Sequence, residues 1–144
     1  MFIREALIGD IYNIQIVRNS VIENALSDPS LVTDEDCKEF LTVRGKGWVC
    51  EINTVIVGFS IIDLKYHNVW ALFVLPEFEH KGIGKQLHDT MLEWYFSQSE
   101  IDVWLSTAPN TRAESFYRKA GWLDSGFTSN GEIKFVMSYK QWAS

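Results

Sequence analysis

One stretch constrains this chain more than any other. Asn68–Leu75 is a run of mostly apolar residues closed by Pro76, which cannot donate to a central ladder. The turn Glu79-His80-Lys81-Gly82-Ile83-Gly84-Lys85 follows. Beyond it Ile83, Leu87, Met91 and Trp94 recur on one helical face, while Lys85, Asp89 and Glu93 face away. Strand, glycine turn and amphipathic helix in that order demand a fold that mixes sheet with helix. The glycines let the backbone approach a ligand closely, and the first helical turn carries N–H groups without intrahelical partners. With the helix dipole, the place suits a phosphate. Net charge is −6, from 13 basic and 19 acidic residues, which argues against general nucleic-acid binding. A polyanionic ligand therefore needs local positive charge, and His80, Lys81 and Lys85 supply it here.

The rest of the chain supplies the frame. Met1–Ala6 reads as a short strand. Ile11, Ile14, Val17, Val21 and Ile22 recur at helical spacing from Asp10 to about Asn24, until Ser27-Asp28-Pro29-Ser30 breaks the pattern. Thr33 followed by Asp36 predicts an N-cap and a second helix through about Leu41. Gly47–Ile52 and Val55–Leu64 are strands joined at Asn53-Thr54. Val103–Ser106 is another strand. A helix follows from about Thr111 to Ala120 and ends at Gly121. Trp122–Thr128 and Glu132–Tyr139 form a hairpin about Asn130-Gly131. The order is β-α-α-β-β-β-α-β-α-β-β: an α/β (α+β) layout with a mixed, mostly antiparallel twisted sheet of about seven strands, four helices and one right-handed crossover. At 144 residues with no Pro/Gly-rich linker, residues 1–144 are expected to form a single domain.

Other chemistries are poorly represented. Cys37 and Cys50 form no short metal-ligand spacing and read as reduced thiols. His67, His80 and His88 lie on no zinc motif, so no metal is expected. With no apolar run long enough to span a bilayer and no signal-peptide layout, neither a membrane partner nor export is expected; the expected location is cytoplasmic. A Walker A loop would place glycine at Glu79 and Ser or Thr at Gln86, and a Rossmann fingerprint would place a third glycine at Leu87.

The glycines instead resemble the Gln/Arg-x-x-Gly-x-Gly/Ala signature of the GNAT N-acetyltransferase superfamily, with Glu79 departing at the first position. Trp70-Ala71-Leu72-Phe73-Val74-Leu75-Pro76 looks like that family's fourth strand. Asn110-Thr111-Arg112-Ala113-Glu114-Ser115-Phe116-Tyr117-Arg118-Lys119-Ala120-Gly121-Trp122 resembles its second signature, Asn-x-x-Ala-x-x-Phe-Tyr-x-x-x-Gly-Phe. The resemblance implies acetyl-CoA as co-substrate and transfer to a primary amine of a small molecule or peptide by direct attack in a ternary complex. It implies that the backbone of Leu72, Phe73 and Val74 holds the pantetheine arm. His80, Lys81, Gly82, Ile83, Gly84 and Lys85 would hold the pyrophosphate, and Asn110 the arm from its far side. Tyr117 matches the usual acid that protonates the coenzyme A thiolate; a phenol is protonated at neutral pH and near enough to a thiol to donate.

No base is evident. Trp104-Leu105-Ser106-Thr107 carries no carboxylate, which leaves Asp63, His67, Glu77 and Glu23 near strand or helix ends, or ordered water. In this family acceptor choice rests on the first two helices and the last hairpin. Here these segments offer Glu23, Asp28, Asp34, Glu35 and Asp36, with Trp70, Trp122 and Phe127 as aromatic surface, a setting that suits a cationic amine. The alternative is a catalytically silent acyl-CoA sensor. The hairpin ending at Tyr139 and Trp142 is the expected route to a homodimer.

Overall fold

Among the described residues, seven strands form one sheet in the order β1-β2-β3-β4-β5-β7-β6. They are β1 (Phe2–Glu5), β2 (Gly45–Ile52), β3 (Val55–Asp63), β4 (Asn68–Val74), β5 (Val103–Thr107), β6 (Leu123–Phe127) and β7 (Ile133–Met137). The α-helices of the described residues are α1 (Ile11–Asn19), α2 (Asp34–Glu39), α3 (Ile83–Gln98), α4 (Arg112–Lys119) and α5 (Tyr139–Ala143). This is a computed structural model that describes residues 1–21 and 32–144. The expected break at Ser27–Ser30, and Glu23 and Asp28 with it, lie outside the described residues.

Local chemistry explains most of the elements. Asn53 and Thr54 both adopt positive φ, 51° and 67°, the geometry of a two-residue hairpin turn that follows strand twist. The Thr33 hydroxyl accepts from the Asp36 N–H at 3.1 Å, and the Asp36 carboxylate accepts from the Thr33 N–H at 3.0 Å, a reciprocal cap on α2. The C-terminal end differs from expectation. The last strand stops at Met137, and Ser138 caps a fifth helix by accepting from Gln141 N–H at 3.1 Å. Tyr139 and Trp142 then turn inward: Trp142 stacks on Phe96 at 5.1 Å, and Tyr139 meets the same ring edge-on at 5.8 Å. Both rings cover the core rather than extend the hairpin.

Apolar residues lie on both faces of the sheet. On one, α3 and α4 cover Val57, Ile62, Val69, Leu105 and Phe135 with Leu87, Met91, Leu92 and Tyr117. On the other, Ile14 and Val17 of α1 pack with Val49, Phe59, Ile61 and Ala71. Large buried side chains of this kind each contribute about 1.5–3 kcal/mol, and they fix where β4 and β5 lie.

Two irregularities in β4 open the site. Ile61 opposes Ala71 but Ile62 opposes Val69, so Trp70 is the extra residue of a bulge. On its other edge β4 runs parallel to β5 and pairs with it at Asn68–Trp104 alone. That end is held by Trp104 N–H to the His67 carbonyl at 2.9 Å and by the Asn68 side chain to the Trp104 carbonyl at 3.1 Å. Beyond it the strands part, and the β5-facing peptide groups of Trp70–Val74 have no strand to pair with among the described residues.

Candidate functional site

The gap between the strands is a cleft of about 480 Å³. Leu72, Phe73 and Val74 form one wall, Leu105–Ala108 the other; His80, Gly82, Ile83, Gly84 and Lys85 close one end, and Tyr117 looks in from α4. Nine of the eleven expected site residues therefore meet in one place. Lys81 and Asn110 do not line it: Lys81 is exposed, and Asn110 is an exposed turn residue at φ 62° whose N–H donates to Glu114 at 2.7 Å.

The turn before α3 is built to present amides. Gly82, at φ 80°, is the N-cap and has no capping side chain. The first bond into the helix is Gln86 N–H to the Gly82 carbonyl at 3.1 Å. The amides of Ile83, Gly84 and Lys85 are thus left for a ligand. His80 also lies in the left-handed region, at φ 64°; alternating handedness in such a turn bends successive N–H groups toward one concavity. A Cβ on Gly84 would meet Phe116 and Val74 at 3.7 and 3.8 Å, so this position sits where α4 and β4 converge on the cleft.

Glu79, the departure from the motif, is ion-paired with Arg112 from the first turn of α4. The pair joins the two signature segments across the cleft mouth and offsets the carboxylate's repulsion for phosphate. Lys85 is largely exposed and pairs with Asp89 one turn on at 2.6 Å, a surface contact worth a few tenths of a kcal/mol, ~0.3.

Tyr117 is 6% exposed and packed edge-on against Phe116 and Trp122, at 5.2 and 5.6 Å. Burial raises its phenol pKa above the ordinary value, so the proton stays on oxygen. Behind it Trp122 Nε1–H donates to His88 Nε2 at 2.9 Å, and His88 Nδ1 lies 2.9 Å from Asp89 Oδ1. An indole only donates, so Nε2 must be the lone-pair nitrogen and Nδ1 carries the hydrogen toward Asp89. His88 is neutral, in keeping with the fall in its pKa caused by burial. Trp122 is buried, which corrects its reading as acceptor-facing surface. Phe127 is exposed as expected, and Trp70 lies half-buried on the cleft, stacked on Phe40 at 4.0 Å.

None of the expected base candidates that is described reaches the cleft wall. Asp63 is buried in an ion pair with Arg44. His67 Nδ1 lies 2.9 Å from the Tyr95 hydroxyl, at the closed end of β4. Glu77 is exposed on the turn after Pro76. A carboxylate that was not anticipated, Glu132, does line the cleft, where its Oε1 accepts from Ser106 Oγ at 3.0 Å. Only the strand order, with β7 beside β5, brings the two residues together.

A profile of the acetyltransferase (GNAT) family matches residues 10–122. The chain belongs to this family. An uncharacterized N-acetyltransferase of Archaeoglobus fulgidus is 32% identical over 80 residues, which is 48% of this chain and 54% of the relative; the match thus spans about half of that protein. Among solved structures, the PaiA N-acetyltransferase of Thermoplasma acidophilum, crystallised with coenzyme A, superposes with a TM-score of 0.80 at 16% identity, over 96% of this chain and 98% of that one. The ribosomal-protein-S18-alanine N-acetyltransferase of Escherichia coli gives 0.74 at 14% identity, over 94% and 90%. The GNAT fold is therefore shared across nearly the whole chain. Membership supports acetyl transfer as the general activity and an acyl-CoA as co-substrate. Among the described residues no three His, Cys, Asp or Glu side chains cluster as metal ligands, and no helix is long and apolar enough to cross a membrane.

Proposed function

We propose that the chain transfers the acetyl group of acetyl-CoA to a primary amine of a small molecule or peptide, by direct attack within a ternary complex. The observation that carries this reading is the parting of β4 and β5 beyond Asn68–Trp104, with uncapped amides at one end and a buried phenol in its wall. An extended pantetheine arm completes the β4 edge as an added strand does, and the α3 amides with His80 and Lys85 receive the pyrophosphate. Lys81 and Asn110 contribute from outside the cleft. A β4 amide close to Val74 meets the thioester oxygen as charge develops on it.

Tyr117 supplies a proton to the thiolate as the C–S bond breaks, and its raised pKa keeps that proton available across the neutral range. Related enzymes whose names specify protein alanine and aminoglycoside acceptors share this fold, at TM-scores of 0.74 and 0.75, which supports an amine as acceptor. The reading includes a cytoplasmic location and a homodimer, the latter tested by sedimentation. The deciding experiment is thiol release from acetyl-CoA with an amine panel, using Tyr117→Phe. Turnover falling about 100-fold with cofactor affinity retained supports an enzyme. A variant with full turnover removes Tyr117 from the chemistry, and a parent that binds acetyl-CoA without ever releasing thiol is the silent sensor.

A further inference from the structure

The two faces of the sheet divide the cleft into two sides. Val103 and Leu105 of β5, and Ile133, Phe135 and Met137 of β7, lie in the core beneath α3 and α4, where Tyr117 also packs. Strand side chains alternate between faces. Ser106 and Glu132 therefore point to the opposite face, the side of α1 and α2, where Val21 and Trp70 complete the wall. A group entering there meets a thioester carbonyl from the side away from Tyr117. Acyl transfer needs the nucleophile on one face of the planar carbonyl, and this arrangement keeps that approach clear of the phenol that serves the departing thiolate.

Glu132 is held for a purpose at that spot. Its N–H donates to Thr128 Oγ1 at 3.2 Å, and its carbonyl accepts from Thr128 N–H at 2.8 Å, so the hairpin turn fixes its backbone. Ser106 Oγ holds Oε1 at 3.0 Å, with the Asn130 amide at 3.5 Å. Oε2 has no protein donor among the described residues. Among the described residues two carboxylates line the cleft, and they differ: Glu79 is neutralised by Arg112, whereas Glu132 has no cationic partner there. Lys134, two residues on along the same strand face, sits over the Trp104 ring at 5.1 Å. A half-buried, oriented, unneutralised carboxylate is complementary to an ammonium group.

We propose that Glu132 is the acceptor-binding carboxylate and proton acceptor of this site, and that the acceptor is a cationic amine. The assignment rests on the acetyl-transfer reading above. The ammonium docks on Oε2 and passes one proton through it to solvent, which frees the nitrogen lone pair and leaves Glu132 ionised again. As the amine nitrogen bonds to the thioester carbon and the carbonyl π pair moves onto oxygen, the nitrogen becomes acidic and its proton passes to Glu132. The oxyanion then re-forms the carbonyl, the C–S bond breaks, and the thiolate takes the Tyr117 proton. Glu132 releases its proton to solvent and Tyr117 is reprotonated from solvent. The products are the amide, coenzyme A thiol and, for an ammonium substrate, one proton to water. Ser106 acts through Glu132 as a positioning residue.

The test compares two nucleophiles, one cationic at pH 7 and one largely neutral, in the parent and in Glu132→Gln, which keeps an oxygen for Ser106. The cationic nucleophile is the best of spermidine, kanamycin and a peptide with a free N-terminal alanine; the neutral one is hydroxylamine. Thiol release from acetyl-CoA is followed for each, with acetyl-CoA affinity measured by calorimetry. Glu132→Gln is expected to slow both nucleophiles through loss of the proton acceptor and the cationic amine further through loss of its charged contact, so that the ratio of kcat/KM for the cationic amine to that for hydroxylamine falls about 100-fold. An unmoved ratio, with both nucleophiles slowed alike or neither slowed, overturns the assignment and leaves acetyl transfer standing. A parent that acetylates hydroxylamine but none of the cationic amines overturns it as well. A parent that neither binds acetyl-CoA nor releases thiol with any nucleophile removes the transfer reading itself, and the Glu132 assignment with it.

Discussion

Gly82 and Gly84 stand two residues apart in one motif, yet alanine should move stability in opposite directions at them. At Gly82 no atom lies within 4 Å of an added Cβ, but φ is 80°. The penalty is conformational, about 1 kcal/mol for an L-residue held in that region. Gly84 lies inside α3 with ordinary φ, and its Cβ would make contacts of 3.7 and 3.8 Å. Alanine there removes unfolded-state freedom and improves helix propensity, a gain of about 0.5 kcal/mol. For a chain of this length 1 kcal/mol corresponds to about 3 °C in Tm. Scanning calorimetry on the ligand-free protein should therefore show Gly82→Ala melting about 3 °C lower and Gly84→Ala about 1–2 °C higher. Acetyl-CoA titrations should show the converse emphasis. Gly82→Ala redirects the amides and weakens binding about tenfold, near 1.4 kcal/mol. Gly84→Ala retains binding, and Gly84→Leu fills the cleft and abolishes it. A Gly82→Ala protein that melts with the parent, or a Gly84→Ala protein that melts lower than it, would refute this account of the turn.

Three further outcomes follow from single contacts. Glu79→Gln removes a negative charge from the cleft mouth, so acetyl-CoA affinity should rise about threefold at low ionic strength and the gain should shrink near 1 M salt; unchanged affinity at both salts would mean that Glu79 does not face the ligand. Trp122→Phe leaves buried His88 Nε2 without its donor, a loss of about 1–3 kcal/mol by thermal or urea unfolding. His88 has a folded pKa below the ordinary 6.5, so the unfolded chain takes up the proton first. The stability it contributes is complete above 6.5 and declines as pH falls through that value toward the folded pKa; urea midpoints at pH 7.5 and 5.5 should diverge in the parent and converge in His88→Asn.

Features set by neighbouring residues were legible in the sequence. The Asn53-Thr54 turn, the Thr33–Asp36 cap and the Gly82–Lys85 helix start are each written in a few adjacent positions, because dihedral preference and capping act over one turn. A signal for α5 was also present, since Ser138 precedes Gln141 by three residues in the spacing of a capping box; the β pattern of Lys134–Met137 obscured it. What stayed hidden is what distant pairing creates. Ser106 meets Glu132 only because β7 inserts between β5 and β6. Glu79 meets Arg112, and His88 meets Trp122, only after α4 docks beside α3. The engagement of Asp63 by Arg44 and of His67 by Tyr95 is hidden for the same reason, since the partners lie 19 and 28 positions apart in sequence.

The parted β4–β5 edge and the α3 amides are proposed as one acetyl-CoA site. Calorimetric titration of cofactor-free protein with acetyl-CoA tests it most directly. Saturable binding at one site per chain, a rise in Tm with ligand concentration, and loss of both in Gly84→Leu are the expected results. No heat and no thermal shift at a large excess of acetyl-CoA, or undiminished binding by Gly84→Leu, would contradict it.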